Sequence, residues 1–447
     1  MIPDTVVVLA KSPQPWQVKT RLQPTFSAHE AAALASAAIR DTLDVVLEVG
    51  ARRTVVAWDG PRVPWLPKGI CVVPQRGSSL DERLEHAFQD ILGDLCDAPT
   101  LLVGMDTPQL RTESLDVDWA GHDALLGPSC DGGFWSIGFR RYIPGSIRGT
   151  PMSTSRTGTE QLRRLRRLGL DVGLLATMQD VDEAQDASDV AALAPSTRFG
   201  RLHRRLVQSP CSPTTLFEAA LAGADVEVRV EMTSHVTSGA HDVGGNVAAV
   251  GTAAHTAHGE GVVAPLLDVS AWQRLSEADE VLLSRCERPV LDLGCGPGRF
   301  VEALSRRGLP ALGIDLSRNA VERTRQRGAH ALVRDVHDRL PAEGRWGTVL
   351  LADGNIGIGG DPLALLRRCR ELLRPGAAVL VEASVDATAD RRTAITLHGP
   401  FGRHSHPVPW AVVGTQAVVR LAAAAGLLAV EDWRVSGRAF VLLRHAG

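Results

Sequence analysis

Lysine is almost absent from this chain of 447 residues, which holds three lysines against forty-five arginines. An arginine bias of this size is typical of a GC-rich genome, so most of the arginines need no functional explanation. Two of the three lysines, Lys11 and Lys19, nevertheless fall in one loop near the N-terminus. The concentration of a rare cation in a single loop favours a binding role over a merely solvated basic surface.

Long apolar runs, paired cysteines and a large net charge are also missing. No run of about 18 apolar residues occurs, so we expect no membrane insertion. No basic residues precede the first short apolar run, which favours a buried strand over a signal peptide. The seven scattered cysteines form no CxxC pair, as expected for reduced thiols in a cytoplasmic protein. The formal net charge of −3 argues against a nucleic-acid partner.

Strand-like and helix-like segments alternate along most of the chain, and its length predicts two or three domains. This alternation predicts an α/β fold class with two three-layer α/β/α domains. We expect the first domain at residues 1–200 and the second at 286–447. The residues between them, 201–285, are expected to be a linker and lead-in segment. Within it, residues 233–261 are rich in glycine, alanine, threonine and histidine without periodicity, which predicts a flexible loop.

A glycine-rich loop follows a strand-like segment at the start of the second domain, in the run VLDLGCGPGRF. The glycines allow a tight turn and a close approach of ligand to backbone, and their GxGxG spacing differs from the GxGxxG of dinucleotide-binding folds. Asp292 would repel a pyrophosphate but can interact with a cationic amino-acid group. Asp315 ends the next strand, where an acid can accept hydrogen bonds from ribose hydroxyls.

The segment Val290–Glu382, with its DLGCGPG and GIDLS motifs, resembles the class I S-adenosylmethionine-dependent methyltransferases. The resemblance implies a Rossmann-like domain in which Asp335 lies near the adenine and Asp353 lies on the sulfonium and substrate side, as a catalytic residue. The alternative for Asp335 and Asp353 is that they cap strand ends. The cofactor-binding residues that the resemblance implies are Asp292, Gly294, Cys295, Gly296, Gly298, Asp315, Leu316 and Asp335.

Two histidines are candidates for the acceptor side of this site. Methyl transfer is an in-line displacement, to which an enzyme contributes mainly alignment and exclusion of water. A general base helps where the acceptor is a hydroxyl. His404 and His406 lie in the run HGPFGRHSHPVPW, between the fifth strand and the last helix, where an insertion can cover the site. We expect one of them to contact the acceptor; the alternative is that both are surface loop residues.

The loop after the first strand of the chain, AKSPQPWQVKTRL, holds three cations at the carboxyl end of a parallel strand. Sheets of this class bind ligands at that edge, and Lys11, Lys19 and Arg21 can neutralise phosphates there. Asp106 follows one further strand-like run, and Asp180 and Asp182 follow another, so carboxylates from two strand ends can share a divalent cation that bridges phosphates. Asp131 and the two glycines after it suit a tight turn near an acceptor. The alternative for each acid is that it caps a turn.

Residues 5–195 resemble an uncharacterised bacterial family with a glycosyltransferase-A-type fold. They are also similar to nucleotidyltransferases such as the molybdenum-cofactor guanylyltransferase and the lactyl-phospholoyl guanylyltransferase. The motifs AKSPQPWQVKTRL, QRGSSLDERLEHAF, GMDTPQL, LLGPSCDGGFWSIGF and DVDEAQD appear in the family's order. The resemblance implies that the loop from Lys11 to Arg21 binds a nucleotide and that Asp106 with Asp182 binds Mg²⁺ or Mn²⁺. Trp16 stands where the family usually has glycine.

These features predict a bifunctional transferase. The second domain is expected to methylate a small-molecule acceptor with S-adenosylmethionine, and the first to transfer a glycosyl group from a nucleotide sugar. Two alternatives remain for the first domain: a nucleotidyltransferase that uses a nucleoside triphosphate, or an inactive binding or scaffold module, which Trp16 favours. A nucleic-acid methyltransferase is disfavoured, because the fourth strand is followed by DGNI rather than an NPPY-type loop.

Overall fold

A computed structural model describes residues 2–23, 25–92, 98–232, 263–264, 269 and 271–446. The chain divides into two compact units, Met1–Leu206 and Val207–Gly447. The flexible loop expected at 233–261 lies outside the described residues. Within the described ranges, no helix has the length and apolar character needed to cross a membrane.

The first unit is built on a seven-stranded sheet. Its strands are β1 (Thr5–Lys11), β2 (Arg53–Asp59), β3 (Cys71–Pro74), β4 (Thr100–Gly104), β5 (Ala124–Pro128), β6 (Phe134–Phe139) and β7 (Val172–Leu174). They lie in the order β3-β2-β1-β4-β6-β5-β7, and β6 runs antiparallel to both of its neighbours. The strand order reverses at β1, which pairs with β2 on one side and β4 on the other. Ligand crevices of open α/β sheets lie at such a switch point.

Helices cover both faces of this sheet. Side chains alternate along β1, so Val6 and Val8 share a core with Ile39 of one helix, while Val7 shares a core with Phe88 of another. The first of these helices starts at a capping box, in which Ser27 and Glu30 each accept a hydrogen bond from the other's backbone N–H. The helices are Ala28–Glu48, Leu80–Leu92, Thr157–Arg167, Ala184–Leu193 and Arg198–Gln208, with short 3-10 helices at Thr20–Leu22 and Thr112–Ser114.

The second unit contains another seven-stranded sheet. Its strands are β10 (Val290–Leu293), β11 (Ala311–Asp315), β12 (Ala331–Val333), β13 (Trp346–Leu351), β14 (Leu373–Ala383), β17 (Leu427–Val435) and β18 (Arg438–His445). They lie in the order β12-β11-β10-β13-β14-β18-β17, and β18 is antiparallel to β14 and β17. The order reverses at β10, so the glycine-rich loop lies at the switch point of the sheet.

Helices lie on both faces of this sheet as well. Leu291 of β10 shares a core with Leu365, and Val290 shares one with Phe300 and Leu282. The predicted α/β class with two three-layer domains is therefore confirmed. The helices are Pro213–Leu221, Glu277–Leu283, Arg299–Arg306, Arg318–Gln326, Pro362–Leu372 and Thr415–Ala424, with 3-10 helices at Ala271–Gln273, Asn355–Gly360 and Pro400–Gly402.

A smaller antiparallel sheet, which the local sequence pattern does not predict, also belongs to the second unit. It joins β8 (Glu227–Met232), β9 (Val263–Ala264), β15 (Asp390–His398) and β16 (Val408–Val413) in the order β16-β15-β8-β9. The expected lead-in segment thus contributes a strand that pairs with the insertion before the last helix. The reason is that β15 finds its partner far away in the chain, which local periodicity does not report.

Candidate functional sites

The glycine-rich loop of the second unit turns through three left-handed residues between β10 and the next helix. Gly294, Gly296 and Gly298 have φ values of 77°, 53° and 85°. A Cβ atom at Gly298 would lie 2.4 Å from the Thr324 hydroxyl oxygen, so a larger residue would push the loop off the neighbouring helix. Asn355 holds the loop in place, because its side-chain amide donates hydrogen bonds to the carbonyl oxygens of Leu293 and Gly294.

Asp315 closes the loop from the neighbouring strand. It is fully buried, and its carboxylate accepts hydrogen bonds from the backbone N–H groups of Gly296 at 2.9 Å and Ser317 at 2.8 Å. Burial raises the pKa of Asp315 to about 6, although the backbone donors oppose that shift. Asp315 therefore ties the glycine loop to the start of the following helix, at the position expected for a ribose contact.

Asp292, the second acid at this edge, has no comparable partners. Its side chain is 1% exposed, and among the described residues its Oδ2 atom has no hydrogen-bond partner. Burial, followed by the negative charge of Asp353, raises the pKa of Asp292 to about 8, while Arg299 opposes the shift. A buried carboxyl with a free oxygen beside a glycine loop is suited to receive a cation or a strong hydrogen-bond donor.

Five charged side chains form a network next to Asp292. Of the five, Asp353 is the one that the sequence predicts as a site residue. Arg299 forms a bidentate pair with Asp353, at 2.7 and 2.8 Å. Arg438 forms another with Glu382, at 2.6 and 2.7 Å, and also donates to Asp279 at 2.6 Å. Because the five residues come from five separate elements, the network clamps the elements around the glycine loop.

Asp353 is the centre of this network and has an unusual backbone. Its φ is 53°, a left-handed value that costs a non-glycine residue about 1–2 kcal/mol. Its N–H donates to Glu382 at 2.6 Å, while its carboxylate is occupied by Arg299. The side chain expected to serve catalysis is thus committed to ion pairs, which suits it to hold the site in shape rather than to move a proton.

The remaining residues expected at this site take varied positions. Cys295 is buried within the glycine loop, Leu316 is half-buried beside Asp315, and Asp335 is half-buried, with its carboxylate accepting from the backbone of His337 at 2.9 Å. Asp335 therefore caps a turn, as its alternative interpretation states, and this leaves its second oxygen for a ligand.

His404 and His406 lie on the smaller sheet, in the connection between β15 and β16. The His404 ring stacks on His398 with ring centroids 6.1 Å apart, and its carbonyl accepts from the backbone of Cys211 at 2.9 Å. His406 is exposed. Within the described part of the chain, no hydrogen bond joins either imidazole to the charged network, so their contact with an acceptor stays a prediction.

A cavity of about 650 Å³ marks the corresponding edge of the first unit. The cations Lys11 and Arg21 line it, as do the carboxylates of Asp106, Asp131 and Asp182, so the expected residues other than Lys19 converge there. Asp180, Glu183, Asp186, Gln75 and Arg83 line it as well. A volume of this size suits a ligand of nucleotide dimensions.

Three carboxylates in this cavity could hold a metal ion together. Oxygens of Asp131, Asp180 and Asp182 lie within 4.8 Å of one another. Burial and the nearby charge of Asp131 raise the pKa of Asp180 to about 6. The set differs from the pair of Asp106 and Asp182 that the resemblance implies. It includes Asp180, which the position after a strand-like run indicates as a candidate, and Asp131 in place of Asp106.

Lys19 explains why the expected pair differs from this set. Its ammonium lies 2.7 Å from Asp106 and 3.3 Å from Asp182, and it also donates to the carbonyl oxygen of Val181. A positive charge therefore already lies between the two carboxylates that were expected to hold a metal. As they stand, Asp106 and Asp182 do not fit a metal ion between them.

Trp16 lies at the third position of a β-turn in the cation-bearing loop. Gln17 donates to the carbonyl of Gln14, Pro15 holds the second position and Trp16 has a φ of 68°, which together define a type II turn. Glycine is the usual residue at that position. The indole is 59% exposed and does not line the cavity, so it does not narrow it.

Comparison with known proteins agrees with this division of the chain. Residues 290–376 match a family described as a methyltransferase domain, and residues 33–154 match a family described as an uncharacterized protein conserved in bacteria. A ubiquinone biosynthesis O-methyltransferase from Acinetobacter baylyi is 25% identical over 156 residues, which are 33% of this chain and 58% of that protein. The chain spans about half the length of the curated relatives it matches.

Two solved structures are similar to one unit each. A SAM-dependent methyltransferase from Bacteroides fragilis, in complex with S-adenosyl-L-homocysteine, has a TM-score of 0.40 at 18% identity and covers 54% of this chain and 97% of its own. A structure from Desulfovibrio desulfuricans, described as a nucleotide-diphospho-sugar transferase, has a TM-score of 0.42 at 25% identity and covers 46% of this chain and 95% of its own.

Proposed function

We propose that the second unit, whose residues 290–376 form a methyltransferase domain, transfers a methyl group from S-adenosylmethionine to a small-molecule acceptor. The observation that carries the proposal is the free oxygen of Asp292, buried beside three left-handed glycines. A buried carboxyl with an unused oxygen needs a donor or a cation, and the amino group of S-adenosylmethionine is both. The residues present therefore fit this cosubstrate.

The roles of the chain's own residues follow from their contacts. S-adenosylmethionine supplies, when bound, an electrophilic methyl group on a positively charged sulfur. The glycine loop lets the ligand approach the backbone, and Asp315, which keeps lone pairs beyond its two backbone donors, can accept from the ribose hydroxyls. Asp353 and Arg299 hold the loop in position through their bidentate pair. Alignment and exclusion of water are the main contributions that such a site can make.

The acceptor side of the proposal involves His404 and His406. One of these imidazoles would take the proton of a hydroxyl acceptor, since His404 is half-buried on the sheet that packs against the loop after β13. Replacing both by alanine should then reduce turnover while leaving S-adenosylmethionine affinity unchanged. Unchanged turnover on the true acceptor would refute this role.

The methyltransferase proposal is tested by titrating the full chain with S-adenosylmethionine and its demethylated product in a calorimeter. We expect both to bind. Incubation with labelled S-adenosylmethionine and cell extract, followed by mass spectrometry of the labelled product, would then identify the acceptor. Absence of heat for both ligands, with protein that unfolds cooperatively, would contradict the proposal.

For the first unit we propose binding of a nucleotide sugar with Mg²⁺ or Mn²⁺ and transfer of its glycosyl group. The cavity supports this, because it combines the cations of Lys11 and Arg21 with a group of carboxylates. Asp131, Asp180 and Asp182 are the residues that would hold the metal, which would neutralise phosphate charge when bound. Asp131 stays the candidate nearest the acceptor.

One assay distinguishes the proposed glycosyltransferase from the two alternative functions of the first unit, a nucleotidyltransferase and a scaffold module. A nucleotidyltransferase would release pyrophosphate from a nucleoside triphosphate, whereas a glycosyltransferase would release a nucleoside diphosphate from a nucleotide sugar. A panel of both ligand classes, with metal present and both products measured, distinguishes the two. Binding without turnover would favour the scaffold interpretation, and the exposed position of Trp16 argues against a blocked cavity as its cause.

A further inference from the structure

The Lys19 ammonium already has three close acceptors: it donates hydrogen bonds to Asp182 and to the carbonyl oxygen of Val181, and it forms an ion pair with Asp106. An ammonium carries three N–H donors, and three acceptors surround this one: Asp106 at 2.7 Å, Asp182 at 3.3 Å and the carbonyl oxygen of Val181. The side chain is 8% exposed, which is unusual for lysine. Lys19 could contact a phosphate only by giving up one of these partners.

The charge of Lys19 is held firmly. Burial alone would lower the pKa of this lysine, but the adjacent carboxylates of Asp106 and Asp182 outweigh burial and raise it. Its backbone also lies in the left-handed region, with a φ of 48°. The left-handed backbone at Lys19 brings the ammonium to its position between the two carboxylates.

A divalent cation in the same position would face two obstacles. It would have to contact the carboxylate oxygens at roughly 2.0–2.2 Å, in the space that the ammonium fills. It would also lie next to the positive charge of the buried Lys19 ammonium, and like charges repel. The negative charge of the Asp106 and Asp182 carboxylates is thus already balanced in part by Lys19 of the same chain.

We propose that Lys19 is a built-in cation that takes the place of a metal ion between Asp106 and Asp182. Asp106 is then an ion-pair partner rather than a metal ligand, and Lys19 fixes the cavity wall instead of binding phosphate. This leaves Lys11 and Arg21 as the loop cations that face the cavity. The inference rests on the proposed nucleotide site, since it assigns roles within that cavity, but its test needs no nucleotide, so the two can fail separately.

The test compares Lys19→Met with a matched control, Lys68→Met, which removes an exposed lysine in the same unit. Without the ammonium, Asp106 loses its cation and Asp182 keeps only its contact with Arg21 at 3.3 Å, so Lys19→Met should lower the melting temperature of the full chain by about 5 °C or more. Mn²⁺ should restore most of that loss, and Mn²⁺ affinity measured by electron paramagnetic resonance should rise at least about tenfold over wild type. Lys68→Met should match wild type in both measurements.

A second variant keeps the inference falsifiable should Lys19→Met fail to fold. Asp106→Asn leaves Lys19 in place. If Asp106 is not a metal ligand, this variant should bind Mn²⁺ with the same affinity as wild type. A loss of Mn²⁺ binding in Asp106→Asn would overturn the inference and support a metal at Asp106. A folded Lys19→Met protein that gains no Mn²⁺ affinity would overturn it as well.

Discussion

The substitution Asp292→Asn separates two effects of this buried carboxyl: its effect on the stability of the folded chain, and its contribution to binding of S-adenosylmethionine. The unfolded chain ionises this group near pH 3.8, whereas the folded protein holds its proton up to about pH 8. Between those values the folded state binds the proton more tightly, so rising pH weakens folding. The slope is about 1.4 kcal/mol per pH unit. At pH 7, about three units above the pKa of Asp292 in the unfolded chain, the free energy of unfolding has fallen by on the order of 4 kcal/mol.

Asparagine removes this pH-dependent loss but introduces an amide donor. Its unpaired N–H₂ group in a buried position costs about 1–3 kcal/mol, so the net gain at pH 7 is about 2 kcal/mol. For a unit of this size, that gain raises the melting temperature by roughly 4–8 °C. The net gain should vanish near pH 5, where the pH-dependent loss has fallen to about 2 kcal/mol, and near pH 4 the variant should be less stable than wild type.

The same substitution should weaken S-adenosylmethionine binding by at least about tenfold, because a neutral amide cannot balance the ammonium of the ligand. In the wild type, binding must expel the Asp292 proton, so affinity should rise with pH up to about pH 8. In Asp292→Asn this rise should be absent.

Calorimetric melting and ligand titration from pH 5 to pH 8.5 test both halves of this prediction. Asp432→Asn, at an exposed position on β17, is the matched control and should follow wild type throughout. If the melting temperature of Asp292→Asn follows wild type at every pH, the buried and proton-binding character assigned to Asp292 is refuted. If melting changes as expected but S-adenosylmethionine affinity does not, the ligand does not use this carboxyl.

Three further substitutions test other parts of the structure. Arg438→Met should cost about 3–5 kcal/mol in denaturant unfolding, because it leaves the buried carboxylate of Glu382 without its guanidinium partner; a cost below about 1 kcal/mol would contradict the network. Gly357→Ala would place a Cβ atom 2.3 Å from the carbonyl oxygen of Ala411, so we expect a loss of about 1–3 kcal/mol and slower methyl transfer, and unchanged melting would count against this packing. Trp16→Gly should stabilise the first unit by about 1 kcal/mol, since glycine fits the left-handed turn; a lower melting temperature would mean that the indole makes stabilising contacts.

The strand, glycine loop and helix at residues 290–306 could be predicted because their signals are local. Glycine spacing, an acid at the strand end and the apolar run of β10 all fall within about twenty residues of each other. The closing pair of β17 and β18 was predictable for the same reason. The smaller sheet was not, since Thr393 of β15 pairs with Met232 of β8 across a stretch of intervening chain that contains the whole parallel core.

The charged network escaped prediction because its members look ordinary in the sequence. Arg299 and Arg438 are two of forty-five arginines, and Asp279 reads as an acid in the first turn of a helix, which it also is. Their pairing is decided by burial at the edge of the sheet, which requires the fold. Asn355 is a comparable case: its DGNI motif was noted, yet its hold on the carbonyl oxygens of the glycine loop appears only in three dimensions.

The two units balance acids at their strand ends with different cations, and the difference bears on function. Lys19 is a compact charge on a flexible stem that touches one oxygen of each carboxylate, a contact that a metal ion can reproduce. Arg438 and Arg299 instead present planar forks that match whole carboxylates, and no simple ion can take that geometry. At the edge of the first unit, one ammonium therefore neutralises two carboxylates without matching the planar geometry of either. The edge of the second is rigid, and its unpaired carboxyl at Asp292 is left for one cationic ligand.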